Sequence, residues 1–287
     1  MSVTFHGVRG STPCHGADIV KYGGNTSCVS LDVPGEAPIL FDLGTGLRYF
    51  GSVQPRDTDF VGTCLLSHLH WDHIQGVPFF TPLLRAGSEI RIYAPAQEDG
   101  TSAADVFADT VKPPLFPVDL ATLPGTLSFS EVLDSDFTIG EHGSISVMSR
   151  QIPHVGPTLG YRVTAGGATV AYLSDHQMPC DGTLSATDGA LELCRDADLV
   201  IHDAQYTPDE FVGKCDWGHC TIDYAIWLAA EAGAKRLALF HHDPGHDDVR
   251  LDELAAEAAE AGARVGVEVF AAREGQTVAV GDPTPQR

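Results

Sequence analysis

The chain has 287 residues, of which 43% are hydrophobic, enough to bury a sizeable core in one large domain or two small ones. Lysine and arginine total 17 against 39 acidic residues, a formal charge of −22, so the averaged field repels polyanions and makes long nucleic acids poor partners. No apolar run approaches the roughly 18 residues of a membrane span, and the opening MSVTFHGVRGS lacks the basic start and apolar core of a signal peptide, so the expected location is the cytoplasm with no membrane partner.

The predicted elements begin with short β-rich runs: VTFHG, then CVSLDV after the turn-forming YGGNTS, then PILFDLGTG, each bounded by Gly or Pro. VGTCLLSHLH is apolar up to Ser67 and then turns abruptly to metal-ligand residue types, which places His68 and His70 just past the carboxyl end of a buried strand. Sites in α/β sheets commonly lie there. From Val77 to Gly143 the pattern loosens into one clear strand, EIRIYA, a short helix, SAADVFADTVK, and a Pro-rich stretch, KPPLFPVDLATLPG. This region is expected to be a lid or insertion, around 77–143.

Strands return with SISVMSRQI, LGYRV, ATVAYLSD and ADLVIHD. The helix TIDYAIWLAAEAGA follows, its apolar residues Ile222, Ala225, Ile226, Ala229 and Ala230 at helical spacing, with Thr221 as N-cap and Gly233 as stop. A strand RLALF leads to a second helix from near Asp248 to Gly262, then to strands VGVEVF and TVAV, with DPTPQR as a frayed tail. Seven cysteines (Cys14, Cys28, Cys64, Cys180, Cys194, Cys215 and Cys220) form no C-x-x-C pair and read as reduced thiols.

The segment SHLHWDHIQG carries the densest chemistry. His68 and His70 stand two apart, so in extended chain both point to one side and can clamp one ion. Asp72 and His73 fall on the following turn and can face a second ion beside it. Packing four such residues at a strand end is costly unless a metal satisfies them. Other ligand types stand at later strand ends: His154 in RQIPHVG, Asp175 in AYLSDHQ and His241 in LALFHHDP. Each alone also fits an ordinary loop residue, but together they form one pattern.

H-x-H-x-D-H followed by a single His, an Asp after a strand and a final His resembles the metallo-β-lactamase fold superfamily, over nearly the whole chain. The resemblance implies one α/β domain over 1–287, an αββα four-layer sandwich with a dinuclear metal site on one edge. By that likeness His68, His70 and His154 hold one divalent ion, Asp72, His73 and His241 hold the other, and Asp175 bridges them. Zinc is the expected ion, and imidazole and carboxylate also suit manganese or iron.

The fold alone leaves the reaction open. Leu199 to Pro244 resembles the phosphodiesterase branch that includes RNase Z, with His202-Asp203-Ala204-Gln205 where that branch has H-E-A-T and His219-Cys220-Thr221 where it has H-S-T. The likeness implies a metal-bridging hydroxide attacking phosphorus, His219 as proton donor to the leaving alkoxide, and Asp203, with Asp72 as a further neighbour, orienting and charging that ring. His219 also reads as a simple cap of the following helix. Arg9 is a candidate partner for an anionic substrate, or structural; Asn25, in the glycine turn with Gly23 and Gly24, is another, or part of a hairpin turn. His176, His242 and His246 receive no role.

No basic arm for docking transfer RNA is present, so a small anionic substrate, a cyclic nucleotide or other cyclic phosphate, fits best, with Phe79, Phe80 and Phe116 as lid aromatics or ordinary core. The alternatives are hydrolysis of a lactone, β-lactam or thioester; RNase Z-like RNA processing; redox use of a di-iron centre; and a noncatalytic metal-binding protein. A homodimer is compatible with the sequence, which does not fix the oligomeric state.

Overall fold

The structure is a computed structural model that describes residues 1–281; the expected frayed tail, 282–287, lies outside the described residues. Fourteen strands are placed in chain order: β1 (Ser2–Gly7), β2 (Cys28–Asp32), β3 (Ile39–Phe41), β4 (Val61–Leu65), β5 (Glu89–Pro95), β6 (Thr126–Val132) and β7 (Ser135–Ile139), then β8 (Ile145–Gln151), β9 (Leu159–Ala165), β10 (Ala168–Leu173), β11 (Leu199–Asp203), β12 (Arg236–Phe240), β13 (Glu268–Ala271) and β14 (Thr277–Ala279). The helices are α1 (Leu47–Ser52), α2 (Trp71–Ile74), α3 (Ala103–Thr110), α4 (Asp188–Cys194), α5 (Pro208–Phe211), α6 (Ile222–Glu231) and α7 (Asp248–Val265).

The strands form two seven-stranded sheets, in the orders β14-β1-β2-β3-β4-β5-β6 and β13-β12-β11-β10-β9-β8-β7. Side chains of both meet in a shared core, where Phe41 stacks on Tyr172 at 4.7 Å and Phe5 lies 6.2 Å from Phe240. Beyond each sheet is a second apolar layer: α4, α6 and α7 cover one, α1 and α3 the other. This is the αββα sandwich. β10, ATVAYL, is buried at all six positions because both its faces are covered. Among the described residues no helix is long and apolar enough to cross a membrane, and all seven cysteines are free.

The stretch 77–143, expected as a lid or insertion, contributes strands to both sheets: β5 and β6 extend the first by parallel pairing and β7 ends the second. Irregular chain between β5 and α3, and between α3 and β6, is what loosened the pattern. The second long helix runs past Gly262 to Val265. A Cβ on Gly262 would approach Val269 Cγ2 to about 2.3 Å, so this glycine marks close packing on β13, and the helix stops at Gly266 with φ 81°.

Parallel pairing fixes where chemistry can collect. β3, β4 and β5 run parallel, as do β10, β11, β12 and β13, so the carboxyl ends of several strands open at one edge of the sandwich.

His6, on β1, gives a separate test of the fold. Burial pushes its pKa down to about 4, while Nε2 meets Ser30 Oγ at 2.9 Å. Between pH 6.5 and 4 the unfolded chain binds a proton the folded one does not, so stability is lost as pH falls through that window. Urea titrations should show His6→Gln reducing the loss between pH 7 and pH 5 by about 1–2 kcal/mol, allowing for partial exposure; an identical loss would remove His6 from the balance.

Candidate metal centre

The apolar run of β4 ends at Leu65, and Ser67 is tied to Asp42 just beyond β3: its backbone N donates to Asp42 Oδ1 at 2.8 Å and its hydroxyl to Oδ2 at 3.0 Å. His70 is extended, and α2 opens directly at Trp71, so Asp72 and His73 occupy its first turn. That short turn follows the extended His68-Leu69-His70, so two backbone geometries aim four ligand types into one space.

Their nitrogens are oriented from behind. His73 Nδ1 donates to Asp42 Oδ2 at 2.7 Å, where Tyr172 OH also donates at 2.7 Å. His154 Nδ1 donates to the Gly218 carbonyl at 2.6 Å and His241 Nδ1 to Gln205 Oε1 at 2.8 Å, while His68 Nδ1 meets Ser67 Oγ at 2.9 Å. Each such bond leaves Nε2 as the inward lone pair. His70 differs, turning Nδ1 inward to within 3.1 Å of His154 Nε2. Gly218 sits at φ 93°, and a Cβ there would strike the His154 ring at about 2.3 Å.

The inward atoms fall into two groups, with Asp175, His219 and His241 forming a third that overlaps them. Ligand atoms of His68, His70, His154 and Asp175 lie within 4.8 Å of one another, as do those of Asp72, His73 and His241. Asp175 divides between them: Oδ1 is 3.2 Å from His73 Nε2 and 3.4 Å from His241 Nε2, whereas Oδ2 is 3.8 Å from His68 Nε2 and 3.7 Å from His154 Nε2. His68 Nε2, His73 Nε2 and Asp175 Oδ1 are buried with no hydrogen-bond partner. Leaving such atoms unsatisfied costs about 1–3 kcal/mol each, and a cation among them removes that cost. Burial opposes charge on Asp72 and Asp175, yet the surrounding imidazoles hold both carboxyls below the usual range. The residues therefore fit divalent ions in charge, donor type and direction.

His219 lies against this centre. Its Nδ1 donates to Asp203 Oδ2 at 2.9 Å and is 3.8 Å from Asp175 Oδ2, and its ring stacks on His241 at 4.9 Å. Asp203 is held by the backbone N of His176 (3.1 Å) and of Gln205 (3.0 Å). Burial lowers the proton affinity of His219, but the charge of Asp203 and its hydrogen bond, with Asp175 and Asp72 behind them, outweigh it and raise the pKa. Capping of α6 falls to Thr221, whose hydroxyl accepts from Tyr224 N at 3.2 Å. Asp72 also accepts from Ser11 N at 2.8 Å.

Both candidate substrate contacts have protein partners, in line with the structural alternative read for each. Arg9 is fully buried, with Nε donating to the Gly23 carbonyl and Nη1 to those of Asp243 and His246, so it braces three loops. Asn25 spends its backbone N and its Nδ2 on Glu274 at 2.6 and 3.0 Å. The three unassigned histidines stand outside the ligand groups: His176 pairs with His202 at 2.9 Å, His242 Nε2 donates to the Ala272 carbonyl, and His246 meets Glu210 at 2.8 Å.

Sequence reading missed Asp42, and Gln205 was quoted without a role. The signal for Asp42 was an acidic residue ending the apolar run PILF at a glycine turn. Asp42→Asn should weaken metal binding by roughly 10–100-fold, because the amide accepts less strongly and can turn its NH2 toward His73. Competition with a chromophoric chelator measures this; unchanged affinity would show that Asp42 does not tune the site.

Two groups of imidazole and carboxylate at the strand ends of an αββα sandwich define a metal-dependent hydrolase of the metallo-β-lactamase fold. The family model for the beta-lactamase superfamily domain matches residues 38–242, an interval containing all seven expected ligands. The chain belongs to that superfamily. The ribonuclease Z of Geobacillus kaustophilus is 27% identical over 291 residues, covering 85% of this chain and 91% of the relative. The metallo-beta-lactamase fold protein YhfI from Bacillus subtilis superposes with a TM-score of 0.71 at 24% identity, covering 98% of both chains. Human tRNase Z, short form, gives 0.70 at 22% identity, covering 98% of this chain and 100% of its own.

Proposed function

We propose that the chain hydrolyses small phosphodiesters at a dinuclear site, with His68, His70 and His154 on one ion, Asp72, His73 and His241 on the other, and Asp175 between them. The observation that carries the reading is the His219–Asp203 pair, 2.9 Å long, set 3.8 Å from Asp175. A diester with an alkoxide leaving group needs a proton as the ester bond breaks. His219 can hold one: Asp203 accepts from Nδ1, fixing the ring and stabilising its charge, and Nε2 remains to serve the substrate. Asp203 is itself pinned by two backbone N–H groups, so the pair is preorganised. When bound, two divalent ions would supply an activated water and neutralise the nonbridging oxygens of the diester. Gln205 keeps the His241 ring aligned, and Ser11 N does the same for Asp72.

Zinc is the expected ion, and the free cysteines suit a reducing cytoplasm. The charge of −22 favours a short anionic substrate over a long one. A second reading, cleavage of an RNA, is supported by the name of the Geobacillus relative. A screen with added zinc, manganese or iron tests these readings, using bis(p-nitrophenyl) phosphate, 2′,3′- and 3′,5′-cyclic nucleotides, a structured RNA, lactones and thioesters. Turnover of the small diesters alone is expected. Turnover of lactones or thioesters without diesters would overturn the reading, and turnover of RNA alone would replace it with the second.

A further inference from the structure

In a chain with 17 basic residues against 39 acidic ones, exposed cations tend to find carboxylates. Lys112 pairs with Asp109, Arg150 with Glu192, Lys214 with Asp243 and Arg250 with Glu253. Arg48, Arg56 and Arg85, like Arg195 and Arg273, do not pair with a carboxylate. The side chains of Arg48, Arg56 and Arg85 form no ion pair or hydrogen bond with any described residue, the Arg48 guanidinium lying 5.6 Å over the Tyr49 ring, yet all three line one pocket of about 400 Å³ between α1 and the turn of chain at Thr81–Leu84. Arg85 is half-buried, and its Nε and Nη2 are buried without a partner. Guanidinium N–H groups in that condition carry a desolvation cost that an anion would repay, and their planar fork fits phosphate oxygens. Ser52 and Thr81 add hydroxyls to the same wall.

The pocket adjoins a second hollow. A cleft of about 470 Å³ is lined by Pro13, Asn25, Thr45, Tyr49, Phe79 and, again, Arg48. Tyr49 and Phe79 are each about half exposed, at 50% and 55%, offering aromatic faces for a planar ring. Part of the cleft wall stands close along the chain to residues of the metal centre. Pro13 is two residues, at most about 7 Å of chain, beyond Ser11, whose N–H holds Asp72, and Gly76, also in the lining, is three residues past His73. Along α1, Gly46 to Ser52 spans about 9 Å at the helical rise, so the two hollows, which share Arg48, together extend over on the order of one to two nucleotide units.

We propose that the Arg48–Arg56–Arg85 pocket binds a second, non-scissile phosphate of the substrate, with an aromatic base in the cleft between it and the metal centre. This rests on the diester reading and narrows it: linear diesters carrying a further phosphate would be preferred over diesters lacking one. Three local guanidinium groups offset the repulsion that the overall charge exerts on such a dianion.

The test compares kcat/KM of the metal-loaded protein for thymidine di- and trinucleotides with and without a 5′-phosphate. The terminal phosphate should raise kcat/KM at least about 10-fold for one of the two lengths, and Arg85→Ala should reduce that ratio roughly 10-fold. Arg56→Ala, at an exposed position, should do the same without a folding question. The same ratios are read as binding affinities by calorimetry in His219→Ala protein, so the site is judged even if no thymidine diester is turned over. No preference for the phosphorylated nucleotides, or a preference that survives both arginine substitutions, overturns the inference. If the small-diester screen succeeds while this fails, the diester reading stands without the second-phosphate site; if binding follows the arginines but no diester is cleaved, the reverse holds.

Discussion

Asp175→Ala is expected to remove metal retention and hydrolysis together, with kcat/KM for bis(p-nitrophenyl) phosphate falling about 10³-fold or more. The two oxygens of Asp175 face different groups, Oδ1 toward His73 and His241 and Oδ2 toward His68 and His154. Alanine therefore withdraws an anionic donor from both groups, leaving only imidazoles in the His68, His70 and His154 group and Asp72 as the one carboxylate in the other. Added metal should raise the melting temperature of the wild-type protein and leave that of the variant nearly unmoved, because only a ligand bound to the folded state shifts the unfolding equilibrium. A variant that keeps two ions per chain would show that Asp175 is not shared between them.

His219→Ala is expected to behave in the opposite way toward metal. The ring is not among the seven expected ligands, and it is fixed from Asp203, so two ions should remain while turnover of cyclic nucleotides falls roughly 10²–10⁴-fold. The loss should be much smaller for bis(p-nitrophenyl) phosphate, whose leaving group is acidic enough to depart without a proton. This difference separates a proton donor from a ring that only packs on His241. Equal losses on both substrates would reassign His219 to structure or binding.

The fold was legible because its strands carry their own punctuation. VGTCLL and LALF are apolar to their last residue and then meet ligand types, which located β4 and β12 and the histidines beyond them. The Thr221 cap and Gly233 stop bounded α6 as read from spacing alone. Where the reading failed, packing had overridden local pattern. Gly262 looked like a helix end, but close approach to β13 explains it, and the loose stretch 77–143 hid β6 and β7, which are fixed by pairing with β5 and β8 across irregular chain or a sheet edge.

The metal centre divides along the same line. Ligand candidates announce themselves by residue type and by strand end. Their supports do not, since Asp42 reaches His73 across 31 residues and Gln205 reaches His241 across 36, distances that no local motif encodes. Arg9, open in sequence between an anion contact and a structural role, has three backbone carbonyls as partners, contacts that no local motif encodes.

The claim at the centre of this account is that the two clusters hold two ions that switch on hydrolysis. Protein stripped with chelator and titrated with zinc or manganese, with bound metal and bis(p-nitrophenyl) phosphate turnover followed in the same samples, tests it most directly. The prediction is binding that saturates at two ions per chain, with turnover absent from stripped protein and maximal as the second ion binds. Full turnover by the stripped protein, or no binding with all seven ligands intact, would contradict it.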